Sequence, residues 1–595
     1  MSETDLAASG RRSPLAGAPH VAPVAGIGTA LRRQFLARPF LFGLLLVAVV
    51  GILTAFPTLY LLVNSFNIAQ PGHPFVFGTS VWGEVLTDPR VRRSIGYTFL
   101  LSLRAPIGVT IAFVIAWLLI RIKIPGSRFI EYALWFSFFL PTLPLAIGWI
   151  VLLDPDHGLI NDLILRVFPF IHEAPFSIYS VSGIMWVHLS LTVIPINVIL
   201  LSPAIQQMDA VYEEAALTSG ASNGMILRRI TLPLLAPAVF TALIIGFIKS
   251  LETFEVEEVL GTPANINVYA TTIYDYVQGN PPLLPQAMAL STFFLFVLLI
   301  VTMIYRFFMR HGEGHATIVG KTSRIGSGAR PKWAYIASIL MFVYLAIGVV
   351  VPIVTLLLGT FTKLFGFFFM KNAWTAQHWI DVFADSSFRA SMANSFLVAI
   401  LSAVIGTVCY ALLAWCLVRS KLWGRQLLSV FVWLPWSIPG ILLGLSLLTL
   451  ILNVRSLSVI NGTIVPMVLI ILIKEIPIGV QMLKTSIVQI ASELEEAGQT
   501  SGARFSMIFR RITLPLIAPM FGSVFILVFV SAFRDISATI LLSGPNSQTM
   551  PLLMIGLLEE GRFESAAVIG VVLSVVVLIM TVAMTKLQLR VGMGR

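Results

Sequence analysis

The chain has 595 residues, of which 57% are hydrophobic and only 11% are charged. A soluble protein carries roughly a quarter charged residues, so this composition excludes a set of soluble domains and predicts an all-α polytopic membrane protein. The formal net charge is +11, and the positions of the basic residues decide whether it indicates nucleic acid binding or membrane topology.

The first half of the chain is predicted to be a tail followed by six membrane spans. Residues 1–39 are rich in Ala, Gly, Pro and Arg without apolar periodicity, which predicts a disordered cytoplasmic tail. The first apolar run is too long for a signal-peptide core and is interpreted as a retained span. In this first repeat, residues 40–308, the runs of spanning length are Phe40–Leu62, Ile95–Ile120, Ile130–Leu153, Val181–Leu201, Leu234–Leu251 and Ala287–Phe308.

A polar cytoplasmic linker at 309–332 separates this repeat from a second one at 333–595. The second repeat has the same arrangement, with apolar runs at Trp333–Leu358, Ala393–Val418, Leu427–Leu450, Ile464–Leu483, Leu516–Leu542 and Ser565–Met584. The sequence therefore predicts about twelve spans in two tandem six-helix repeats.

The distribution of Lys and Arg predicts which ends of the spans face the cytoplasm. With the N-terminus inside, the cytoplasmic segments hold 25 of the 39 basic residues and the opposite loops hold 9. Both chain termini, and the loops after the fourth and tenth spans, are therefore predicted to be cytoplasmic. Topology explains most of the positive charge, and no nucleic acid partner is expected.

A polar segment after the fourth span is repeated after the tenth, within loops at 208–233 and 490–515. Residues 213–237 read EEAALTSGASNGMILRRITLPLLAP and residues 495–519 read EEAGQTSGARFSMIFRRITLPLIAP, with 18 of 25 positions identical at an offset of 282. In each copy a short acidic helix ends at Gly220 or Gly502, where glycine can take the positive φ of a chain reversal. A second short helix carries paired arginines before the proline that begins the next span. Because the two copies of this polar segment are so similar, we predict that each copy makes the same contact with a partner.

The repeated segment resembles the E-A-A-x3-G-x9-I-x-L-P motif of the permease subunits of binding-protein-dependent ABC importers. The first copy matches throughout, and the second departs only at Gly498, which replaces a small residue of the motif. The resemblance covers about residues 40–590 and implies two type I importer permease repeats fused end to end. Each loop would be a coupling helix that sits in a cleft of an ATPase subunit. The coupling residues that it implies are Glu213, Glu214, Ala215, Gly220, Arg228, Arg229, Pro233, Glu495, Glu496, Ala497, Gly502, Arg510, Arg511 and Pro515.

The resemblance also implies the partners. The segment HATIVGKT at 315–322 ends like a phosphate-binding loop, but it has His315 where that motif requires glycine. ATP and Mg²⁺ are therefore expected on two copies of a separate ATPase subunit, with no cofactor and no catalytic residue in this chain. The chain would lie in a bacterial inner membrane, in contact with the membrane lipids. A periplasmic or lipid-anchored binding protein would deliver the solute to it.

Ionisable residues in the apolar runs are candidates for a translocation path, because each costs at least ~2.5–3.5 kcal/mol at the bilayer centre. At the offset of 282, Glu252 falls on Arg534, opposite in sign. Two interpretations stay open: a polar path gated by ion pairs between the halves, or charge pairs that hold helices in register. His188 is interpreted as a satisfied core histidine. The candidate path residues are Lys249, Glu252, Glu255, Lys474, Glu475, Arg534 and Asp535, with no stable metal site expected.

Helix-breaking and small residues predict local distortions of the spans. Proline pairs in the third and ninth spans should kink those helices and free backbone groups; they are Pro141, Pro144, Pro435 and Pro439. Gly440 and Gly444 form a GxxxG pair that predicts close packing.

The substrate is indicated by the fused layout and by two stretches of sequence. SLETFEVEEVLGTP at 250–263 and FRDISATILL at 533–542 look like those of ferric iron permeases, although that family usually has proline where this chain has Glu257. Acidic residues there would suit a hard trivalent cation. Permeases for polyamine, thiamine or phosphonate are alternatives of the same class. An autonomous secondary transporter, which can also be built from repeats, is the alternative of a different class, and the coupling loops argue against it.

Overall fold

The computed structural model describes residue 41 and residues 43–69, 73–122, 124–209, 211–312, 332–420, 423–503 and 505–592. The predicted tail at 1–39 and the linker segment 313–331, with HATIVGKT, lie outside the described residues. Within the described residues the regular elements are helices, and the only strand pairing consists of isolated bridges from Asn67 to Phe77 and from Thr362 to Trp374.

The described chain contains nine helices long and apolar enough to cross a membrane, and up to twelve spans if three bent helix pairs each count as one. In the first half these are α1 (Gly43–Thr54 and Phe56–Asn64), α2 (Pro89–Ile122), α3a (Ser127–Phe139), α3b (Thr142–Leu153), α4 (Val181–Gln207), α5 (Gly224–Leu251) and α6 (Leu284–Gly312). In the second half they are α7 (Trp333–Gly359), α8 (Ser386–Arg419), α9a (Arg425–Ser437), α9b (Gly440–Asn453), α10 (Val465–Val488), α11 (Phe509–Arg534) and α12 (Phe563–Gly592). The predicted all-α fold of two six-span repeats is confirmed.

The third and ninth spans are broken rather than kinked. The chain turns by 103° between α3a and α3b, where Leu140 and Pro141 are extended, and by 107° between α9a and α9b, at Ile438 and Pro439. Proline disfavours the helical conformation of the residue before it, so both breaks fall where the prolines predicted a distortion. The predicted distortion of both spans is therefore confirmed, and in each case it is a break between two helices.

Helix α11 ends at Arg534, whereas the apolar run predicted a span to Leu542. The chain becomes extended at Asp535, whose side-chain Oδ1 accepts a hydrogen bond from the backbone N–H of Ala538 at 3.1 Å. The apolar residues that follow are buried in a short 3₁₀ turn, Ile540–Leu542. The apolar run therefore predicted burial correctly and the helix end wrongly.

The first span of each half packs against the broken span of the other half. Part of α7 lies along α3b, and part of α1 lies along α9b. At the first contact a Cβ on Gly148 would lie 2.2 Å from the carbonyl oxygen of Pro352, so glycine permits the approach. Thr355 Oγ1 also donates to the carbonyl of Gly148 at 3.3 Å. The two halves are therefore interlocked.

The GxxxG pair of α9b forms a close contact, as predicted, although its partner is not a helix. A Cβ on Gly440 would lie 2.5 Å from Ser537 Oγ, and one on Gly444 would lie 2.6 Å from the carbonyl oxygen of Ala538. Glycines at these two positions let the extended segment after α11 lie directly on α9b. That segment carries part of the site described next.

Candidate translocation site and repeated loops

Two cavities whose linings include charged side chains lie between the halves, where α5 and α11 end near the break of the third span. Their volumes are about 160 Å³ and about 310 Å³, and both are lined by Thr142, Glu255 and Arg534. Six of the seven predicted path residues line one or both cavities, namely Lys249, Glu252, Glu255, Lys474, Arg534 and Asp535. Glu475 lines neither cavity; it is buried and accepts a hydrogen bond from Ser531 Oγ at 2.6 Å.

The ion pairs at these cavities connect residues of the same half. Lys249 Nζ lies 2.7 Å from Glu252 Oε2 in the first half, and Lys474 pairs with Asp535 in the second. Asp535 is buried, while the side chain of Lys474 is 31% exposed towards the cavity that it lines. The direct ion pairs between the halves that one of the two interpretations requires are therefore not formed among the described residues.

The halves are connected at the site by cations instead. The guanidinium of Arg534 donates from Nη1 to the carbonyl oxygens of Phe138 and Phe139, each at 3.2 Å, and of Leu140 at 3.4 Å. These carbonyls end α3a and have no partner within their own helix. Lys249 Nζ lies 4.8 Å from the ring centroid of Trp436 at the end of α9a, a favourable cation–π distance. Each half thus extends a basic side chain to the broken span of the other.

Glu255 is the acidic residue of the site without a direct ion pair, although the charges of Arg534 and Lys474 act on it. Its side chain lines both cavities, and among the described residues it forms no hydrogen bond and no ion pair. The other two acids that line the cavities, Glu252 and Asp535, each have a lysine partner. Glu255 is therefore the acid best placed to meet a solute.

A buried charge network that the sequence did not predict stands behind the larger cavity. Arg104 Nη1 and His188 Nε2 each lie 3.0 Å from Glu257 Oε1, and Thr253 donates to the same oxygen at 2.6 Å. Arg104 also donates to the carbonyl of Ser250 at 2.9 Å, near the end of α5. His188 is thus a satisfied core histidine, as predicted. The sequence signal for the network was an arginine inside an apolar span.

Carboxyl groups also meet at the end of the bundle opposite the repeated loops. Glu258 follows α5, Asp275 lies on the short helix Tyr269–Gln278, and Glu559 ends the short helix Met550–Glu559. Burial, together with the charges of Asp275 and Glu559, raises the pKa of Glu258 to about 8. Burial likewise raises the pKa of Asp275 and of Glu559. This end of the bundle is acidic and holds protons readily.

No group of three or more His, Cys, Asp and Glu residues that could hold a metal ion occurs among the described residues. The carboxyl groups that line the cavities therefore do not form a cluster of potential metal ligands.

Each repeated loop forms a short helix that ends at glycine. The helices are Val211–Thr218 and Ser492–Thr500, and Gly220 and Gly502 follow them with φ of 83° and 80°. The N–H of Ala221 donates to the carbonyl of Ala216 at 2.9 Å, closing the turn. The positive φ predicted for both glycines is confirmed.

The paired glutamates of each loop lie in different environments. Glu213 and Glu495 are buried, whereas Glu214 and Glu496 are exposed. The remaining predicted loop residues are exposed to solvent, apart from the turn glycines already described: Ala215, Arg228, Arg229, Pro233, Ala497, Arg510, Arg511 and Pro515. The first glutamate of each pair therefore packs inside the protein, whereas the second lies on its surface.

Comparisons with known proteins agree with this architecture. Residues 106–312 and 404–593 each match the family model of binding-protein-dependent transport system inner membrane components. The chain is 23% identical over 545 residues to the Fe(3+)-transport system permease protein FbpB 2 of Haemophilus influenzae, covering 89% of this chain and 95% of that protein.

Two further similarities cover smaller parts. The ferric transport system permease protein FbpB of Actinobacillus pleuropneumoniae is 25% identical over 67% of this chain and 58% of its own length. A chain in the solved structure of a bacterial ABC transporter involved in import of the acidic polysaccharide alginate is 20% identical, with a TM-score of 0.40. The match covers 48% of this chain and 98% of the chain in that structure. The two family matches together cover more than half of the chain. The chain therefore belongs to the inner membrane components of binding-protein-dependent transport systems, as a multi-pass permease subunit of an ABC importer with both permease repeats fused in one polypeptide.

Proposed function

We propose that this permease moves ferric iron, delivered by a binding protein, through the two cavities between its halves. The observation that carries the proposal is Glu255, a carboxyl group without a direct ion pair that lines both cavities. Hard cations prefer carboxylate oxygens, and a relative whose name specifies Fe(3+) transport aligns with 89% of the chain. A single carboxyl group of this kind suits passage, because an ion in transit must also leave.

The repeated loops are proposed to dock on two copies of an ATPase subunit. Glu214 and Glu496 are exposed on the short loop helices, six residues before the positive-φ glycines, and the same helices also expose the apolar side chains of Val211, Leu217 and Leu494. Exposed apolar side chains on a polar loop support a protein interface there. The excess of basic residues beside these loops supports a cytoplasmic position for them and for both termini.

The substrate proposal is tested by uptake of radioactive Fe(III) from its loaded binding protein into proteoliposomes that contain this chain and its ATPase. We expect Glu255→Gln to reduce uptake about tenfold, since a charge-assisted contact is worth about 1.5–3 kcal/mol and tenfold corresponds to 1.4 kcal/mol. The matched control is Glu560→Gln, which removes an exposed carboxylate away from both cavities.

Assembly of the complex is measured in the same samples by co-purification of the ATPase. Iron uptake by Glu255→Gln equal to that of the unmodified complex would contradict the role of Glu255. Transport of a polyamine, thiamine or a phosphonate by a complex that does not transport iron would overturn the substrate.

A further inference from the structure

Each repeated loop is connected to the membrane helices by an arginine, which is buried in the first half and half-buried in the second. In the first half, Arg121 near the end of α2 has its Nε 3.6 Å from Glu213 Oε2, and its Nη2 donates to the carbonyl of Met208 at 2.6 Å. Met208 follows the last residue of α4. One arginine therefore joins three elements: the end of α2, the end of α4 and the short helix of the loop.

The second half repeats this arrangement. Arg419, the last residue of α8, has its Nε 3.3 Å from Glu495 Oε2. Its Nη2 donates to the carbonyl of Ile487 in α10 at 3.2 Å, and also to the carbonyl of Ile490. The same three elements are joined.

The glutamate of each pair is also held from its other side. Glu213 accepts a hydrogen bond from Thr231 Oγ1, and Glu495 accepts one from Thr513 Oγ1, both at 2.8 Å. Thr231 and Thr513 directly precede the leucines that continue α5 and α11. Each carboxylate thus links the loop helix to the start of the next span as well as to the arginine.

The arginines lie in a second internal repeat. Residues 116–123 read AWLLIRIK and residues 414–421 read AWCLVRSK, with five of eight positions identical at an offset of 298. At that same offset Arg104, the other arginine inside α2, falls on Ser402. The cation at the helix end is therefore kept in both halves while a cation deeper in the same helix is not.

We infer that Arg121 and Arg419 are positioning residues. Arg121 transmits movement of the first loop to α2 and α4, and Arg419 transmits movement of the second loop to α8 and α10. This inference rests on the proposed docking of the loops on the ATPase. Without the arginine, the loop helix would remain attached through the backbone at each end and through the threonine. The loop could then shift with the ATPase while the ends of the two spans stay where they are.

A purely structural role would have a different signature from a transmitting one. An arginine that only supports the fold should, when removed, lower assembly, ATP hydrolysis and transport together. An arginine that transmits movement should, when removed, leave ATP hydrolysis in place and reduce the movement obtained from it. The ratio of transport to ATP hydrolysis separates these roles.

The experiment uses the complete complex of this chain, its ATPase and a binding protein loaded with radioactive Fe(III), in proteoliposomes. In Arg121→Met and Arg419→Met we expect ATP hydrolysis within about twofold of the unmodified complex. Iron moved per ATP should fall at least about fivefold, the lower end of typical coupling between sites. Arg121→Lys should recover part of the loss, and so should the exchange Arg121→Glu with Glu213→Arg. The matched control is Arg128→Met, an exposed arginine beyond the end of α2.

A second measurement reports the movement itself and does not depend on the substrate. In a background of Cys409→Ser and Cys416→Ser, Ser537→Cys places a thiol in the larger cavity. We expect ATP with vanadate to change its labelling by a water-soluble maleimide in the otherwise unmodified complex and to leave it unchanged in Arg121→Met.

An unchanged ratio of iron to ATP together with the normal labelling change in both arginine variants would overturn the inference. Loss of assembly that neither Arg121→Lys nor the charge exchange restores would overturn it too. If the labelling change depends on the arginines but the complex moves no iron, the inference is supported and iron is contradicted as the substrate.

Discussion

Charged side chains inside this bundle differ chiefly in whether they have a partner. Arg104 and Glu257 form an ion pair across 153 residues of sequence, and Arg534 donates hydrogen bonds to backbone carbonyls rather than to an acid. The sequence could identify these groups as costly in an apolar run. It could not pair them, because sign and spacing do not reveal which helices touch. For that reason the sequence left two interpretations of these charges open, while most of the predicted path residues lie together.

The carboxyl group of Glu258 predicts how stability depends on pH. Its pKa rises from 4.5 to about 8 in the folded protein, chiefly through burial. The folded state then holds a proton that the unfolded state loses, so stability is greatest below pH 4.5 and falls as the pH rises towards 8. The slope is at most about 1.4 kcal/mol per pH unit for one proton.

We expect Glu258→Gln to flatten the decrease of the unfolding temperature in detergent between pH 5 and pH 8, roughly the interval between the two pKa values. The exposed Glu560→Gln should leave that decrease as it is in the unmodified protein. Identical pH profiles for Glu258→Gln and the unmodified protein would show that the carboxyl group titrates normally.

At the scale of elements, the broken spans show how much of a helix distortion the positions of prolines can predict. The prolines located both distortions, since the backbone around them cannot remain helical. They did not predict turns of 103° and 107°, because the size of each turn depends on packing from the other half. Carbonyls freed at the first break are satisfied by Arg534, which lies 394 to 396 residues away in sequence.

The contact between α9b and the segment after α11 gives a prediction at this scale. In Gly444→Val the new Cβ would lie 2.6 Å from the carbonyl oxygen of Ala538, a backbone atom that cannot swing aside. We expect overpacking to destabilise the protein by about 1–3 kcal/mol, measured by thermal unfolding in detergent.

The control for this substitution is Gly96→Val on α2, where an added Cβ meets nothing within 4 Å. Both substitutions carry the same intrinsic helix preference, so the difference between them reports the packing. Equal unfolding temperatures for the two variants would show that the segment after α11 does not lie against α9b as described.

For the whole molecule, composition and the internal repeat were enough to predict an all-helical bundle of two six-span halves. The interlocking of the halves, with α7 on α3b and α1 on α9b, could not be predicted, because each of these apolar faces would fit many others. The arginines at the ends of α2 and α8 were missed because their repeat lies inside apolar runs, where identity was hard to distinguish from shared composition. The polar loops stood out because no shared apolar composition could account for their identity.

We propose that an ATPase acting on the two repeated loops moves this bundle. The most direct measurement is uptake of radioactive Fe(III) into proteoliposomes containing either this chain alone, with an ion gradient, or this chain with its ATPase, loaded binding protein and ATP. We expect uptake only in the second case, and its loss when the positive-φ residues of both loops are changed together, Gly220→Val with Gly502→Val. Uptake by the chain alone under the gradient, or full ATP-driven uptake by the double variant, would contradict it.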